Sequence, residues 1–334
     1  MSQALVSVAD VSKRFAPQVS LGERLAALLG SPVETRTVHA VDHVSLEIAK
    51  GEVLGLVGES GCGKSTLGRV IAGIHPPSAG RALIAGEPVM GDARRPVKTT
   101  TRVQMIFQDP FASLDPRVRV GETISEGPIA HGLVSRAEAK EDVGRWLDAV
   151  GLQREAADRF PHQFSGGQRQ RIAIARALAM RPDILVCDEP VASLDVSIQA
   201  QIINLFLKLR RELGLTMLFI SHDLGVVRHI CDRVAIMYLG RIVEIGPTEE
   251  IYSRPAHHYT RALLDSVPKL VTGGEELVTF RPIQGELPSP LAPPPGCHFH
   301  LRCPAASARC RSEAPPLAPR GPVHAAACHH PLES

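Results

Sequence analysis

Val53-Leu54-Gly55-Leu56-Val57-Gly58, then Glu59-Ser60-Gly61-Cys62-Gly63-Lys64-Ser65, then Thr66-Leu67-Gly68-Arg69-Val70-Ile71-Ala72-Gly73-Ile74 read as apolar strand, glycine loop and helix in immediate succession. The loop has the spacing Gly-x-x-x-x-Gly-Lys-Ser/Thr in the strand-to-helix context that a phosphate cradle requires. Glycines let successive backbone N–H groups turn inward around a β-phosphate, and the helix N-terminus adds its positive dipole end. Lys64 would reach the β and γ oxygens, and Ser65 would offer its hydroxyl to Mg²⁺. Gly58, Ser60, Gly61, Cys62, Gly63, Lys64, Ser65 and Thr66 are therefore the expected nucleotide-binding residues. A bulky residue at Gly63 would block the approach, and a ligand-free glycine turn is the bland alternative.

Downstream, Ile184-Leu185-Val186-Cys187-Asp188-Glu189 is an apolar strand ending in two acids. Such a strand end lies at the ligand-binding edge of an open α/β sheet. Asp188 suits Mg²⁺, and Glu189 suits a general base that polarises an attacking water; the alternative is that both merely cap the next turn.

The same pattern extends outward. Short buried strands are expected at Val103 to Phe107, Ile184 to Asp188 and Met217 to Ser221, with helices at Arg136 to Val150, Gln168 to Met180 and Ile198 to Leu213. Apolar runs alternating with amphipathic helices predict an α/β fold whose mostly parallel sheet is covered on both faces. Strand-like alternation also marks Val6, Val8, Val44, Leu46 and Ile48, broken by a peripheral insert from Ala16 to Thr37. Among 334 residues, 37 basic and 35 acidic side chains leave a formal charge of +2, which argues against a nucleic-acid-wrapping protein. No apolar run is long enough for a membrane span, and the opening residues do not read as a secretory leader. Seven cysteines are too few for a disulfide scaffold, so a cysteine cluster would first suggest metal or redox chemistry in a reducing compartment.

Phe164-Ser165-Gly166-Gly167-Gln168, continuing Arg169-Gln170-Arg171, resembles the signature of ATP-binding-cassette ATPases, with phenylalanine in place of the usual leucine. A hydroxyl and two glycines at a helix N-terminus make a second anion grip. The resemblance implies that Ser165, Gly166, Gly167 and Gln168 close over the ATP held by a partner's phosphate loop, while Asp195 lies in the loop crossing between subunits. It also implies that Gln108 contacts Mg²⁺ and the attacking water, that His222 holds the γ-phosphate, and that adenine stacks on Phe15. Catalysis would then fall to Glu189, His222, Gln108 and Lys64, with Ser65, Gln108 and Asp188 around Mg²⁺. The implied fold is a P-loop nucleotide hydrolase core with an antiparallel β subdomain, a helical subdomain at about 109–180 and a C-terminal extension, the cassette ending near 265 and the extension running over 266–334.

Ala40-Val41-Asp42-His43-Val44-Ser45-Leu46, Phe107 to Arg117, Val120 to Ile124 and Val191 to Ile202 look like the peptide-importer branch. Arg254-Pro255-Ala256-His257-His258-Tyr259-Thr260 matches that branch's tail, and the wording around Lys64 is similar to the second, F-type member of its paired ATPase subunits. The resemblance implies an ATPase peripheral to the cytoplasmic side of the inner membrane, importing di- or oligopeptides or related solutes. Its partners would be a second cassette, identical or paralogous, two permease subunits and, indirectly, an external solute-binding protein, with no nucleic acid. Contact with the permeases is expected from Asp109 to about Gly151.

Residues 281–334 hold 12 of the 27 prolines, four of the seven cysteines and five of the 14 histidines. The spacing of Cys297, Cys303, Cys310 and Cys328 is not that of a zinc knuckle. In the branch this tail resembles, the same cysteines are associated with a 4Fe-4S cluster. Zinc, aided by His298, His300, His324, His329 and His330, is the alternative, and four reduced thiols without a ligand is the plainest one. Cys62, Cys187 and Cys231 read as small apolar packing residues. Two rival functions fit the sequence less well. A translation or repair ATPase would carry paired cassettes or long coiled coils, and a vestigial cassette on a metal protein would not need Lys64, Asp188, Glu189 and His222 together.

Overall fold

β1 (Ala4–Phe15) and β2 (Val38–Ala49) pair antiparallel and bury Val6, Val8, Val11, Val44, Leu46 and Ile48. The computed structural model describes residues 4–16, 36–91, 96–110, 112–267, 269–270, 278–279 and 283–333, so the insert read between Ala16 and Thr37 lies, over 17–35, outside the described residues. β3 (Val53–Val57) leads through the glycine loop into α1 (Lys64–Ile71). β4 (Ala79–Ile84) returns to β1, and β5 (Glu87–Pro88) completes a four-stranded antiparallel sheet in the order β2-β1-β4-β5.

The chain then alternates. β6 (Val103–Ile106) precedes three helices, α2 (Val120–Ala130), α3 (Ala139–Ala149) and α4 (Gly166–Ala179). β7 (Ile184–Asp188), α5 (Val196–Leu213), β8 (Thr216–Ser221), α6 (Leu224–Ile230) and β9 (Arg233–Tyr238) follow. Five strands pair in parallel in the order β9-β3-β8-β7-β6. Within them alternate residues face opposite cores: Leu185, Cys187, Met217 and Phe219 pack with the helical side, while Ile184, Val186, Leu218 and Ile220 pack toward the antiparallel sheet. Burial on both faces is why these strands read as unbroken apolar runs.

The expected strands recur within a residue, but the helices begin elsewhere. α4 starts at Gly166 and α5 at Val196, two residues before the expected start in each case, because Ser165 and Asp195 hold the extended N-cap positions. α3 starts at Ala139, three residues later than Arg136, after a turn in which Ser135 and Glu138 bond each other.

β10 (Arg241–Pro247) turns back antiparallel to β9. α7 (Thr248–Ser253) and α8 (His258–Asp265) follow, then a short ladder of β11 (Lys269–Leu270) with β12 (Val278–Thr279). Past α9 (Ala308–Ser312), β13 (Ala318–Pro319) and β14 (Ala325–Ala326) join the main sheet, β14 pairing with Glu244 and Ile245 of β10. The proline- and cysteine-rich tail is thus the outer edge of the eight-stranded sheet.

A buried carboxylate locks this edge. Glu244 has no exposed surface; its Oε1 accepts from Ala256 N at 2.6 Å and lies 2.7 Å from His324 Nε2, and its Oε2 accepts from His257 N at 3.0 Å. The neighbouring imidazole of His257 is held down to about 4 by burial, and its Nδ1 accepts from Tyr259 N at 3.0 Å to cap α8. A neutral ring suits a helix N-terminus, where a cation would oppose the dipole. Glu244→Ala leaves two buried N–H groups without an acceptor, and a loss of about 3 kcal/mol is expected. Urea unfolding would measure it, and earlier proteolytic cleavage beyond 266 would show that the tail has loosened; unchanged values would mean that another contact holds the edge.

Candidate active site

The carboxyl ends of β3, β6, β7 and β8 lie along one edge of the parallel strands, and each delivers a polar residue there. A cavity of about 690 Å³ opens at this edge. Ser60, Gly61, Gly63, Lys64, Ser65 and Thr66 line it together with Gln108, Glu189 and His222. The structure therefore brings together most of the residues expected on each side of a triphosphate.

The loop is held from within. Lys64 is buried and its Nζ donates to Gly58 O at 2.7 Å and Glu59 O at 2.9 Å, which places the ammonium under the curl of the loop. Gly63 caps α1 in a left-handed conformation. Gly58 and Cys62 do not line the cavity: Cys62 is buried behind the loop, its N–H bonded to Glu59 O at 3.3 Å, and burial pushes its thiol up.

Ser65 Oγ donates to Asp188 Oδ1 at 2.7 Å. Burial raises the Asp188 carboxyl above its ordinary value, opposed by the Ser65 hydroxyl and by Arg69 and Lys64 nearby. A hydroxyl beside a buried carboxylate, near the Gln108 amide, is an oxygen donor set suited to a hard cation, so these residues fit Mg²⁺. One residue on, Glu189 takes a left-handed backbone with φ 47°, a strained conformation for a long side chain, fixed by its N–H donating to Ile220 O at 3.0 Å. Its Oε2 accepts from Gln108 Nε2 at 3.0 Å and lies 3.2 Å from His222 Nδ1. Three candidate catalytic side chains from three strand ends thus meet at one oxygen.

Phe15, at the end of β1, lines the far end of the cavity with its ring partly exposed. His75 meets it edge-on at 5.5 Å, and the Lys13 ammonium sits 4.9 Å from its centroid. Val38, Ala40 and Pro290 also line this end, and none of them was a sequence expectation.

The signature residues stand apart. Ser165 Oγ accepts from Gln168 N at 3.4 Å, and Gln168 Oε1 accepts from Ser165 N at 3.1 Å, a reciprocal cap on α4. Gly167 packs so closely that a Cβ would stand 2.6 Å from Ile198. Ser165, Gly166, Gly167, Gln168 and the exposed Asp195 all lie outside the cavity wall.

A second, larger groove of about 880 Å³ runs between β6 and the helices α2 and α4, lined by Gln104, Phe107, Glu126, His131, Arg176 and Met180 among others. Phe107 links it to Gln108 by one peptide bond.

In the tail, Cys297 N donates to Cys310 O at 2.8 Å, and Cys297, Cys303, Cys310 and Cys328 lie near enough for their charges to influence one another. Cys297 is pushed up to about 11, chiefly by burial. Among the described residues, no group of three or more His, Cys, Asp or Glu is arranged to hold a metal ion. The expected cluster therefore has its donors gathered in one region but not closed into a ligand set.

The pattern of the ABC transporter family matches residues 41–192, and that of the oligopeptide/dipeptide transporter C-terminal region matches 243–310. The oligopeptide transport ATP-binding protein AppF of Bacillus subtilis is 46% identical over 329 residues, covering 98% of this chain and 97% of AppF. The di/tripeptide transport ATP-binding protein DppF of Pseudomonas aeruginosa is 49% identical over 296 residues, covering 88% and 90%. A dimeric post-hydrolysis structure of the cassette MJ0796, bound to ADP and phosphate, aligns with a TM-score of 0.58 at 28% identity, over 73% of this chain and 98% of that one. With the loop, the paired acids and the signature at their expected strand and helix ends, the chain belongs to the ABC transporter ATPase family, in the group that carries the oligopeptide/dipeptide transporter C-terminal region.

Proposed function

We infer that this chain is the ATP-hydrolysing subunit of an importer for di- or oligopeptides or related solutes. The observation that carries the reading is the meeting of Gln108, Glu189 and His222 in the cavity that Lys64 and Ser65 also line, with the signature left outside it. Lys64 and the loop N–H groups bind the phosphates; Phe15 receives the adenine. Ser65, Asp188 and Gln108 would hold Mg²⁺, which neutralises phosphate charge. Glu189 takes a proton from water as the water oxygen bonds the γ-phosphorus and the bond to the bridging oxygen breaks, leaving ADP and phosphate. His222 and Gln108 keep the Glu189 carboxylate aimed.

Ser165, Gly166, Gly167, Gln168 and Asp195 complete the site of a second cassette, identical or paralogous, so that ATP joins the pair. The unit that does this spans 1–265, its helical part at about 109–180, with the extension over 266–334. The groove beside α2 would receive the permease subunits and, through Phe107, pass their state to Gln108. Among the described residues, no helix is long and apolar enough to cross a membrane, so attachment at the cytoplasmic face would run through that groove.

The four tail thiols would hold a 4Fe-4S cluster, or Zn²⁺ with nearby histidines; their nearness supports this, and their open arrangement requires them to close on the metal.

Co-expression with a companion cassette and two permeases should give a complex whose ATP turnover rises with peptide-loaded binding protein. A turnover indifferent to the permeases would end the importer reading. Iron and acid-labile sulfide in the anaerobically purified complex should approach four each per tail if the cluster forms; zinc alone would select the alternative, and no metal would leave plain thiols.

A further inference from the structure

We propose that Arg302, in the cysteine-rich tail, is a positioning residue for nucleotide binding, acting on the phosphate loop through Glu59. The inference rests on the nucleotide-site reading above and adds to it a control point 243 residues away in sequence.

Arg302 grips the Glu59 carboxylate with both terminal guanidinium nitrogens: Nη1 donates to Oε2 at 2.6 Å and Nη2 to Oε1 at 3.0 Å. Its Nε donates to Gln284 O at 3.0 Å, which fixes the plane of the fork. The Arg302 side chain is only 5% exposed and that of Glu59 26%, so water screens this pair far less than a surface ion pair. Glu59 is held at its other end too, its N–H donating to the Tyr259 hydroxyl at 2.9 Å. Behind both contacts, Tyr238, Tyr259 and Phe299 pack their rings with centroids 4.7 to 5.4 Å apart, and Arg302 N donates to Phe299 O within the same tail turn.

What Glu59 does with this support follows from its carbonyl, which accepts from Lys64 Nζ and from Cys62 N. Moving Glu59 moves the oxygen that places the ammonium and closes the first turn of the loop. A second tail contact reaches the same cavity from the other end, where Pro290 lines the wall and its carbonyl accepts from His39 N at 2.9 Å.

The test is a double-mutant cycle on the full chain, read by calorimetric ATP affinity in Mg²⁺ and by steady-state hydrolysis. Arg302→Ala should weaken ATP binding about tenfold and raise KM by a similar factor, with kcat at saturating ATP within about twofold. Arg302→Lys, which keeps charge but not the fork, should fall between. Glu59→Ala in the Arg302→Ala background should cost nothing more, since the pair is already broken. If Arg302→Ala does not fold, Glu59→Ala alone, which severs the pair from the loop side, is read by the same KM and kcat criteria. Wild-type affinity in these variants, or losses that add in the double variant, would overturn the proposal. Failure of the wild-type chain to bind ATP would instead remove the underlying site reading.

Discussion

Glu189→Gln should lower ATP turnover by about a thousandfold while leaving ATP affinity within about threefold. The amide has the size of the carboxylate and can still accept from Gln108 at the oxygen that now lies 3.0 Å from Nε2. What it lacks is the basic lone pair that receives a proton from water. The groups that bind phosphate, Lys64 and Ser65, are bonded to Gly58, Glu59 and Asp188 rather than to Glu189 and are untouched. ATP binding by calorimetry beside phosphate release would separate the two quantities. Turnover above a tenth of wild type would remove Glu189 as the base, and a parallel loss of affinity would make its role structural.

Gly63→Ala should weaken nucleotide binding by about 100-fold or more. A Cβ there would stand 2.1 Å from the Ala40 carbonyl oxygen and 2.9 Å from Met237 Cε, and the residue holds φ at 109°, which L side chains rarely adopt. Backbone strain and overlap together amount to roughly 3 kcal/mol or more, and relieving them means displacing the loop that binds phosphate, a loss of about 100-fold or greater in affinity. Gly61→Ala supplies the contrast. Gly61 also has positive φ, at 80°, but a Cβ there meets nothing within 4 Å, so strain acts without collision and a milder loss is expected. Equal affinities for the two variants would show that the loop yields around Ala40, and that contact with β2 does not set its shape.

The parts of this molecule that were legible in the sequence are those whose signals are local. Val53 to Ile74 spells strand, loop and helix because each element is set by its own neighbours, and the acids at 188 and 189 follow an apolar run that could only be buried. The helix starts differ because periodicity locates the body of a helix, whereas the cap marks its beginning; Ser165 and Asp195 precede the expected starts, Gln168 and Ile198, by three residues each. Long-range partners left no trace. Nothing in Leu301-Arg302-Cys303 announces a guanidinium bound to Glu59, and nothing around Tyr259 announces its hydroxyl bond to the loop, which is a product of the fold. The tail reads in sequence as a proline-rich appended extension, yet two dipeptides suffice to extend a sheet when the neighbouring strand already presents its free edge.

That edge has a consequence for biogenesis. Ile242, Val243 and Ile245 are apolar, and the partners that cover the outer side of their strand, Ala325, Ala326 and the Ala327 N–H bound to Val243 O, lie some eighty residues further along the chain. During synthesis the nascent cassette must wait with a sticky hydrogen-bonding rim uncovered, a ready template for its neighbours on the same polysome. Chaperone demand should therefore concentrate in the interval between translating that strand and releasing its cover, and truncations inside the tail should be lost to inclusion bodies even where every nucleotide-binding residue is intact.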